Sequence, residues 1–215
     1  MALAFAGASA QAATTWTEGR NYEVVTPVSG QALAPGQLEV TEVFSYGCPA
    51  CAQISPTVRK LQQALPKGVR LVFVPASFNP PEDWPMFQRA YYAAEALGVA
   101  DKAHDAVFDA VWKGGALAII DPATNRLKDP LPTIEDAARF YSQRAGIKAA
   151  DFVAVAKSFT VEMKMKEADK FVRSYQVVST PTILVNRKYR TDARSAGGYD
   201  ELVQLVLWLL AKDKA

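Results

Sequence analysis

The sequence predicts an α/β fold whose sheet is interrupted by a long helical insertion, and three observations carry that prediction. A strand-like run, Leu38 to Tyr46, leads directly into Cys48-Pro49-Ala50-Cys51 and a helical pattern, and the apolar run Val69 to Val74 follows, which is a β-α-β order. Strand character then disappears between Asn79 and Tyr175. It returns at Pro181 to Val185 and Lys188 to Thr191, just before a closing helical pattern.

Taken in order, Tyr22-Glu23-Val24-Val25-Thr26 is a short strand candidate, closed by Pro27 and by the turn signals Ser29-Gly30 and Pro35-Gly36. In the stronger strand that follows, alternation sets Val40, Glu42, Phe44 and Tyr46 on one face and Thr41, Val43 and Ser45 on the other. Cys48 then stands where a helix N-cap belongs. Pro49 takes the first helical position, where its missing N–H does no harm. Ile54, Val58, Leu61 and Leu65 share one face of a helix to about Leu65, with a kink expected at Pro56. Pro66-Lys67-Gly68 stops it, and the almost continuously apolar Val69 to Val74 predicts a strand at the centre of the sheet.

The insertion opens after Asn79-Pro80-Pro81. Helices are expected over Trp84 to Leu97, ended by Gly98, over Asp101 to Trp112, ended by Gly114-Gly115, and from Thr133 to Ala145, ended by Gly146. Thr133 is the expected N-cap of the last, with Asp136 three residues on. Asp121 to Pro132, rich in proline, reads as a loop. Lys148 to Tyr175 reads as one long or two abutting helices, with Val161, Met165, Ala168, Val172 and Tyr175 on one stripe. His104, the sole histidine, reads as a partly buried structural residue near Phe108 and Val111. After the returning strands, with a turn at Asn186-Arg187, Gly197-Gly198 leads into a last helix, Tyr199 to Ala211. With the helical block set aside, the order is that of a thioredoxin-like frame. Residues 14–77 and 169–215 form the thioredoxin-like part and 78–168 the inserted all-helical domain.

Half of the 215 residues are apolar and 21% are charged, enough for a real core and too apolar for disorder. The net charge of +2, with no long run of Lys or Arg, gives no footprint for nucleic acid. No run of about 18 apolar residues exists, so no membrane-crossing helix is expected. Met1 to Ala13 is uncharged and rich in alanine, and Ala8-Ser9-Ala10 and Ala10-Gln11-Ala12 both fit the small-x-small pattern before a signal-peptidase cut. The segment lacks a positively charged start, so residues 1–13 read as a signal-peptide remnant, the alternative being a disordered apolar N-terminus. A cut there places the mature chain where disulfides persist.

Cys48 and Cys51 are the only cysteines, and a Cys-x-x-Cys between a strand and a helix is a redox signature. A zinc site normally needs four Cys or His ligands, which two cysteines and one histidine do not supply. A purely structural disulfide over so short a loop stabilises little. Thiolate is the reacting form, and a helix N-terminus favours it by offering unpaired N–H groups and the positive end of the dipole. Cys48 is therefore the expected attacked sulfur, and Cys51, one turn inside, acts from within. Glu42 shares a strand face with Val40 and Phe44, so its carboxyl is expected in apolar surroundings with a raised pKa, placed to exchange a proton with Cys51. Its alternative is a carboxylate at a partly solvated strand end. Thr180, Pro181 and Tyr46 are the expected substrate-binding residues. In a thioredoxin-like frame Pro181 is expected to be cis and to face the cysteines, freeing the Thr180 backbone for an extended peptide.

These motifs give the chain a resemblance to the DsbA family of thiol:disulfide oxidoreductases over essentially the whole mature length. It rests on Glu42-Val43-Phe44-Ser45-Tyr46-Gly47-Cys48-Pro49-Ala50-Cys51, Ala96-Leu97-Gly98-Val99, Ala145-Gly146-Ile147-Lys148 and Thr180-Pro181-Thr182-Ile183-Leu184-Val185-Asn186. The resemblance implies a periplasmic monomer with no cofactor, which donates disulfides to exported proteins bearing free thiols and is reoxidised by a DsbB-type membrane quinone reductase. The family's usual motif is Cys-Pro-His-Cys. Pro49 and Ala50 are the redox-tuning positions, and with Ala50 replacing the histidine a higher Cys48 pKa and a weaker oxidant are expected. Thr180 also replaces the usual valine, as in the disulfide isomerases. An isomerase or reductase on the same frame, or a peptide-binding holdase, are the alternative functions.

Overall fold

The computed structural model of the protein describes residues 15–26 and 33–213. The Met1 to Ala13 segment and the turn signals Pro27 and Ser29-Gly30 lie outside them. The sheet is built on β2 (Leu38–Phe44), whose β-branched Val40, Thr41 and Val43 and aromatic Phe44 suit a strand buried on both faces. β3 (Val69–Pro75) runs parallel to it and β6 (Thr182–Val185) antiparallel on its other side, with Val43 opposite Thr182. β7 (Tyr189–Thr191) pairs with β6, and β1 (Glu23–Val24) pairs with β7, giving the order β1-β7-β6-β2-β3. Asn186 and Arg187, the central residues of the turn that the Lys188 N–H closes on the Val185 carbonyl at 3.0 Å, both take positive φ, 50° and 52°.

Parallel pairing of β2 and β3 requires a crossover, and α1 (Pro49–Ala64) supplies it, running unbroken through Pro56. Its Ile54, Val58 and Leu61 pack with Leu202, Leu205, Val206 and Leu209 of α8 (Tyr199–Lys212) over Val40, Ile183 and Val185 of the sheet. Each such fully buried aliphatic side chain contributes roughly 1.5–3 kcal/mol. The opposite sheet face, through Val43 and Leu184, joins a larger core shared with the helices between β3 and β6. These are α2 (Trp84–Ala96), α3 (Ala100–Trp112), α4 (Ile134–Ala145), α5 (Ala149–Ala156) and α6 (Phe159–Ser174). Thr133 caps α4 as expected, its hydroxyl accepting from the Asp136 N–H at 3.2 Å while Asp136 accepts from the Thr133 N–H at 2.8 Å. Lys148 to Tyr175 resolves into two helices, with Val161, Ala168, Val172 and Tyr175 buried. A four-residue helix, α7 (Ala193–Ala196), precedes α8 and carries no apolar pattern of its own to announce it.

Three expectations need correction. β3 lies at the sheet edge, not at its centre. Its apolar run reflects burial on two faces, Val69 and Leu71 against one core and Val72 against the other, and periodicity cannot separate that from a central position. Asp121 to Pro132 is not wholly loop, because β4 (Ile120–Asp121) and β5 (Arg126–Leu127) pair there as a small hairpin, and Asp129–Pro130 is cis. The first strand is two residues long, since among the described residues beyond Val24 the Val25 N–H, donated to the Lys188 carbonyl, is the one backbone bond that continues the association.

β2 also carries Glu39, 1% exposed. Its carboxylate accepts from Thr41 Oγ1 at 2.8 Å, Arg187 Nε at 3.0 Å and Arg70 Nη2 at 3.2 Å, joining β2, β3 and the β6–β7 turn. Hydrogen bonds to a charged group contribute about 1.5–3 kcal/mol, and both arginines reach the surface, which limits the loss when the carboxylate goes. Glu39→Ala is therefore expected to lower stability by about 2 kcal/mol, read as a reduced midpoint in urea unfolding with the m-value unchanged.

Candidate active site

The carboxyl end of β2 and the amino end of α1 meet at Ser45 to Cys48. Ser45 closes this corner twice: its carbonyl accepts from the Cys48 N–H at 3.1 Å, and its hydroxyl accepts from the Gly47 N–H at 3.1 Å. Gly47 is required by crowding, because a Cβ there would lie 2.6 Å from the Trp84 ring. Trp84 is thereby pressed against the residue before Cys48, and its ring stands 6.2 Å from that of the exposed Phe78. Antiparallel pairing of β6 with β2 brings the segment before Thr182 to the same corner. The Thr180–Pro181 bond is cis, and the Cys48 Sγ lies 3.5 Å from the Thr180 carbonyl oxygen.

Cys48 is the N-cap of α1, with φ −96° and ψ 118°, and Pro49 follows at the first helical position. The two thiols are free and differ in surroundings: Cys48 keeps 6% exposure and Cys51 has none. The Cys48 pKa is drawn down to about 6, first by the hydrogen bond from the Cys51 thiol. The Thr180 side chain and the N–H groups of Cys51 and Ala50 at the helix start act in the same direction, against desolvation. The Thr180 hydroxyl is buried with no hydrogen-bond partner, and the Thr180 side chain favours the Cys48 thiolate. Cys51 moves the other way. Burial pushes it well above the ordinary thiol range, helped by the bond it gives to Cys48 and by the negative charge of Glu42. The Ser45 N–H opposes this by stabilising the Cys51 thiolate.

Glu42 is 2% exposed on the strand face shared with Val40 and Phe44, and burial raises its pKa to about 8, with Cys48 adding to the shift. Two thiols and a carboxyl thus titrate out of their usual order within one corner. That is the arrangement in which one sulfur is held as thiolate while its partner and the acid beneath it stay protonated near neutral pH.

Tyr46 does not belong to a substrate surface. It is 1% exposed, and its hydroxyl lies 2.9 Å from Nδ1 of His104, inside the core. The strand continues its alternation through the corner, so Tyr46 points to the buried side with Phe44. Sequence reasoning also left Trp84, Trp112 and His104 away from the site. Trp112 Nε1 donates to the Tyr46 carbonyl at 2.8 Å, and both Trp112 and His104 come from α3, remote in the chain. Only the polar heads of otherwise apolar helix stripes hinted at such contacts.

The family model described as Thioredoxin matches residues 23–204. The thiol:disulfide interchange protein DsbA of Pseudomonas syringae pv. tomato is 35% identical over 215 residues, covering 100% of this chain and 92% of that protein. That of Pseudomonas aeruginosa is 33% identical, covering 100% and 94%. Among solved structures, Pseudomonas aeruginosa DsbA E82I superposes with a TM-score of 0.79 at 32% identity, over 93% of this chain and 99% of that one. The oxidoreductase DsbA from Xylella fastidiosa gives 0.78 at 28% identity, over 92% and 97%.

The exposed Ala50 sits between the two sulfurs and brings no charge of its own to Cys48. Ala50→His is expected to carry the Cys48 pKa below about 6, measured as thiolate absorbance against pH, and to make the disulfide a stronger oxidant. A pKa that stays or rises refutes the role assigned to this position.

Proposed function

The chain belongs to the DsbA family of thioredoxin-fold thiol:disulfide oxidoreductases, and on that premise we propose that it introduces disulfide bonds into exported proteins through Cys48 and Cys51. The observation that carries the proposal is the opposed behaviour of the two sulfurs, one held as thiolate at a helix start beside Thr180, the other buried over Glu42.

In the oxidised protein a client thiolate attacks the Cys48 Sγ. The Cys48–Cys51 bond breaks, its electron pair leaves on Cys51, and a mixed disulfide joins client and Cys48. Cys51 thiolate is disfavoured by burial, so it takes a proton, and Glu42, still protonated near neutral pH with its pKa at about 8, is the donor beneath it. The client's second thiolate then attacks its own sulfur in the mixed disulfide and expels Cys48. A pKa of about 6 makes Cys48 a good leaving group. The two electrons lost by the client reside on the Cys48–Cys51 pair; the client's two protons pass to solvent as its thiolates form, Cys51 holds the proton given by Glu42, and Cys48 leaves as the thiolate. Glu42 works in reverse on reoxidation, accepting the Cys51 proton so that this sulfur attacks from within.

The extended client pairs with the backbone before Pro181, where Val178 to Thr180 enter no strand and Val178 is 87% exposed. Phe78, exposed beside Trp84, and the exposed Ala50 lie on the elements that flank Cys48. The client is an exported protein with free thiols, the compartment is the periplasm, and a DsbB-type membrane quinone reductase restores the disulfide. A monomer suffices for the reaction, since one chain holds both sulfurs and the facing Thr180. Pro49 and Ala50 tune the potential. Cys48→Ala with Cys51→Ala is expected to abolish oxidation of reduced ribonuclease, whereas a holdase would keep its activity. Faster recovery of scrambled than of reduced ribonuclease would mark an isomerase instead.

Glu42→Gln supplies a separate test. A carboxyl raised from 4.5 to about 8 stabilises the fold most below pH 4.5, and that contribution is lost as pH rises toward 8. The loss amounts to about 1.4 kcal/mol per pH unit across the window. In the reduced protein, Glu42→Gln is expected to be more stable than wild type above pH 8 and to lose that advantage by pH 4.5, while reoxidising more slowly at neutral pH.

A further inference from the structure

Tyr46, two residues before Cys48, is gripped at three points by a single face of α3. His104, Phe108 and Trp112 follow one another at four-residue spacing, so they line one side of that helix. His104 Nδ1 lies 2.9 Å from the Tyr46 hydroxyl, the Phe108 ring packs edge-on at 5.0 Å between centroids, and Trp112 Nε1 donates to the Tyr46 carbonyl at 2.8 Å. Hydroxyl, ring and backbone of one residue are all held. Tyr46 is also the second residue of the turn that Ser45 and Cys48 close. That turn aims the Ser45 N–H at Cys51 and sets Cys48 at the start of α1.

We propose that this face of α3 is a positioning element for the redox pair: by fixing Tyr46, His104 and Trp112 hold the Ser45–Cys48 turn in the one shape that places both sulfurs. The inference rests on the oxidoreductase reading and adds that the helices between β3 and β6 set the chemistry of the sulfurs as well as covering them. Trp112 carries the larger share, because its bond is to the backbone of the turn itself. His104 acts through the far end of the Tyr46 ring. Neither touches the reacting atoms. When the grip is lost, the turn relaxes, Cys48 loses alignment with the N–H groups of Ala50 and Cys51, and the thiolate is less favoured.

Trp112→Phe removes the N–H donor and keeps an aromatic ring; Tyr46→Phe removes the hydroxyl and keeps ring and carbonyl. The thiolate absorbance of each is measured against pH, together with the equilibrium constant of the Cys48–Cys51 disulfide with glutathione. Trp112→Phe is expected to cut the thiolate-to-thiol ratio at fixed pH at least threefold, and Tyr46→Phe to act in the same direction more weakly. The glutathione equilibrium is expected to move at least threefold toward the disulfide. Thr133→Ala, which weakens the cap of α4 away from the site, supplies a fold loosened elsewhere. Trp112→Phe and Tyr46→Phe both within 1.5-fold of wild type, or an equal shift in Thr133→Ala, overturns the proposal. Neither measurement needs a client, so a wild-type protein that fails to oxidise reduced ribonuclease refutes the functional reading while leaving this test intact.

Discussion

One negative charge, resident on the Cys48 sulfur, is what the rest of the structure is arranged to hold. A helix start, a neighbouring thiol and a hydroxyl from a distant loop converge on it. Each owes its place to a different part of the fold: α1 to the β2–β3 crossover, Cys51 to the first turn of that helix, and Thr180 to the pairing of β6 with β2. A thiolate favoured in this way makes the reduced dithiol the comfortable state, and the disulfide correspondingly eager to be rid of itself. Redox direction is thus an electrostatic property of where the strands end.

The counterweight lies underneath. Glu42 and Cys51 sit where water does not reach, and neither bears charge easily there. Placing both in the same dry pocket, each with a raised pKa, is what the proposed proton exchange between them rests on. The contrast between a rim that welcomes charge and a floor that refuses it separates the roles of two chemically identical side chains.

Much of this was readable from the chain because it is local. The strand before Cys48, Pro49 at the first helical position, the Thr133–Asp136 cap and the burial of Glu42 each follow from spacing within a few residues. What escaped is tertiary. Nothing near Trp112 or His104 announces that α3 will close on Tyr46, and the same alternation that placed Glu42 correctly should have turned Tyr46 inward with Phe44. β4 and β5 are too short to show a period at all. An apolar strand such as β3 reports that both faces are covered and is silent about its neighbours.

The position of β3 at the margin of the sheet has a consequence for a protein that handles unfolded chains. Sheet margins are adhesive, and an extended client would add to one without discrimination. Here one margin, β1, is only two residues long. The other bears the charged Arg70, and at its far end the Gln88 amide of α2 occupies the Pro75 carbonyl at 3.0 Å. With both margins made unattractive, the docking proposed for a client strand falls to the backbone before Pro181, which enters no strand and whose Thr180 carbonyl lies 3.5 Å from the Cys48 Sγ. Under the proposed docking, resistance to clumping and delivery of the client to the right sulfur become one property of the sheet's outline.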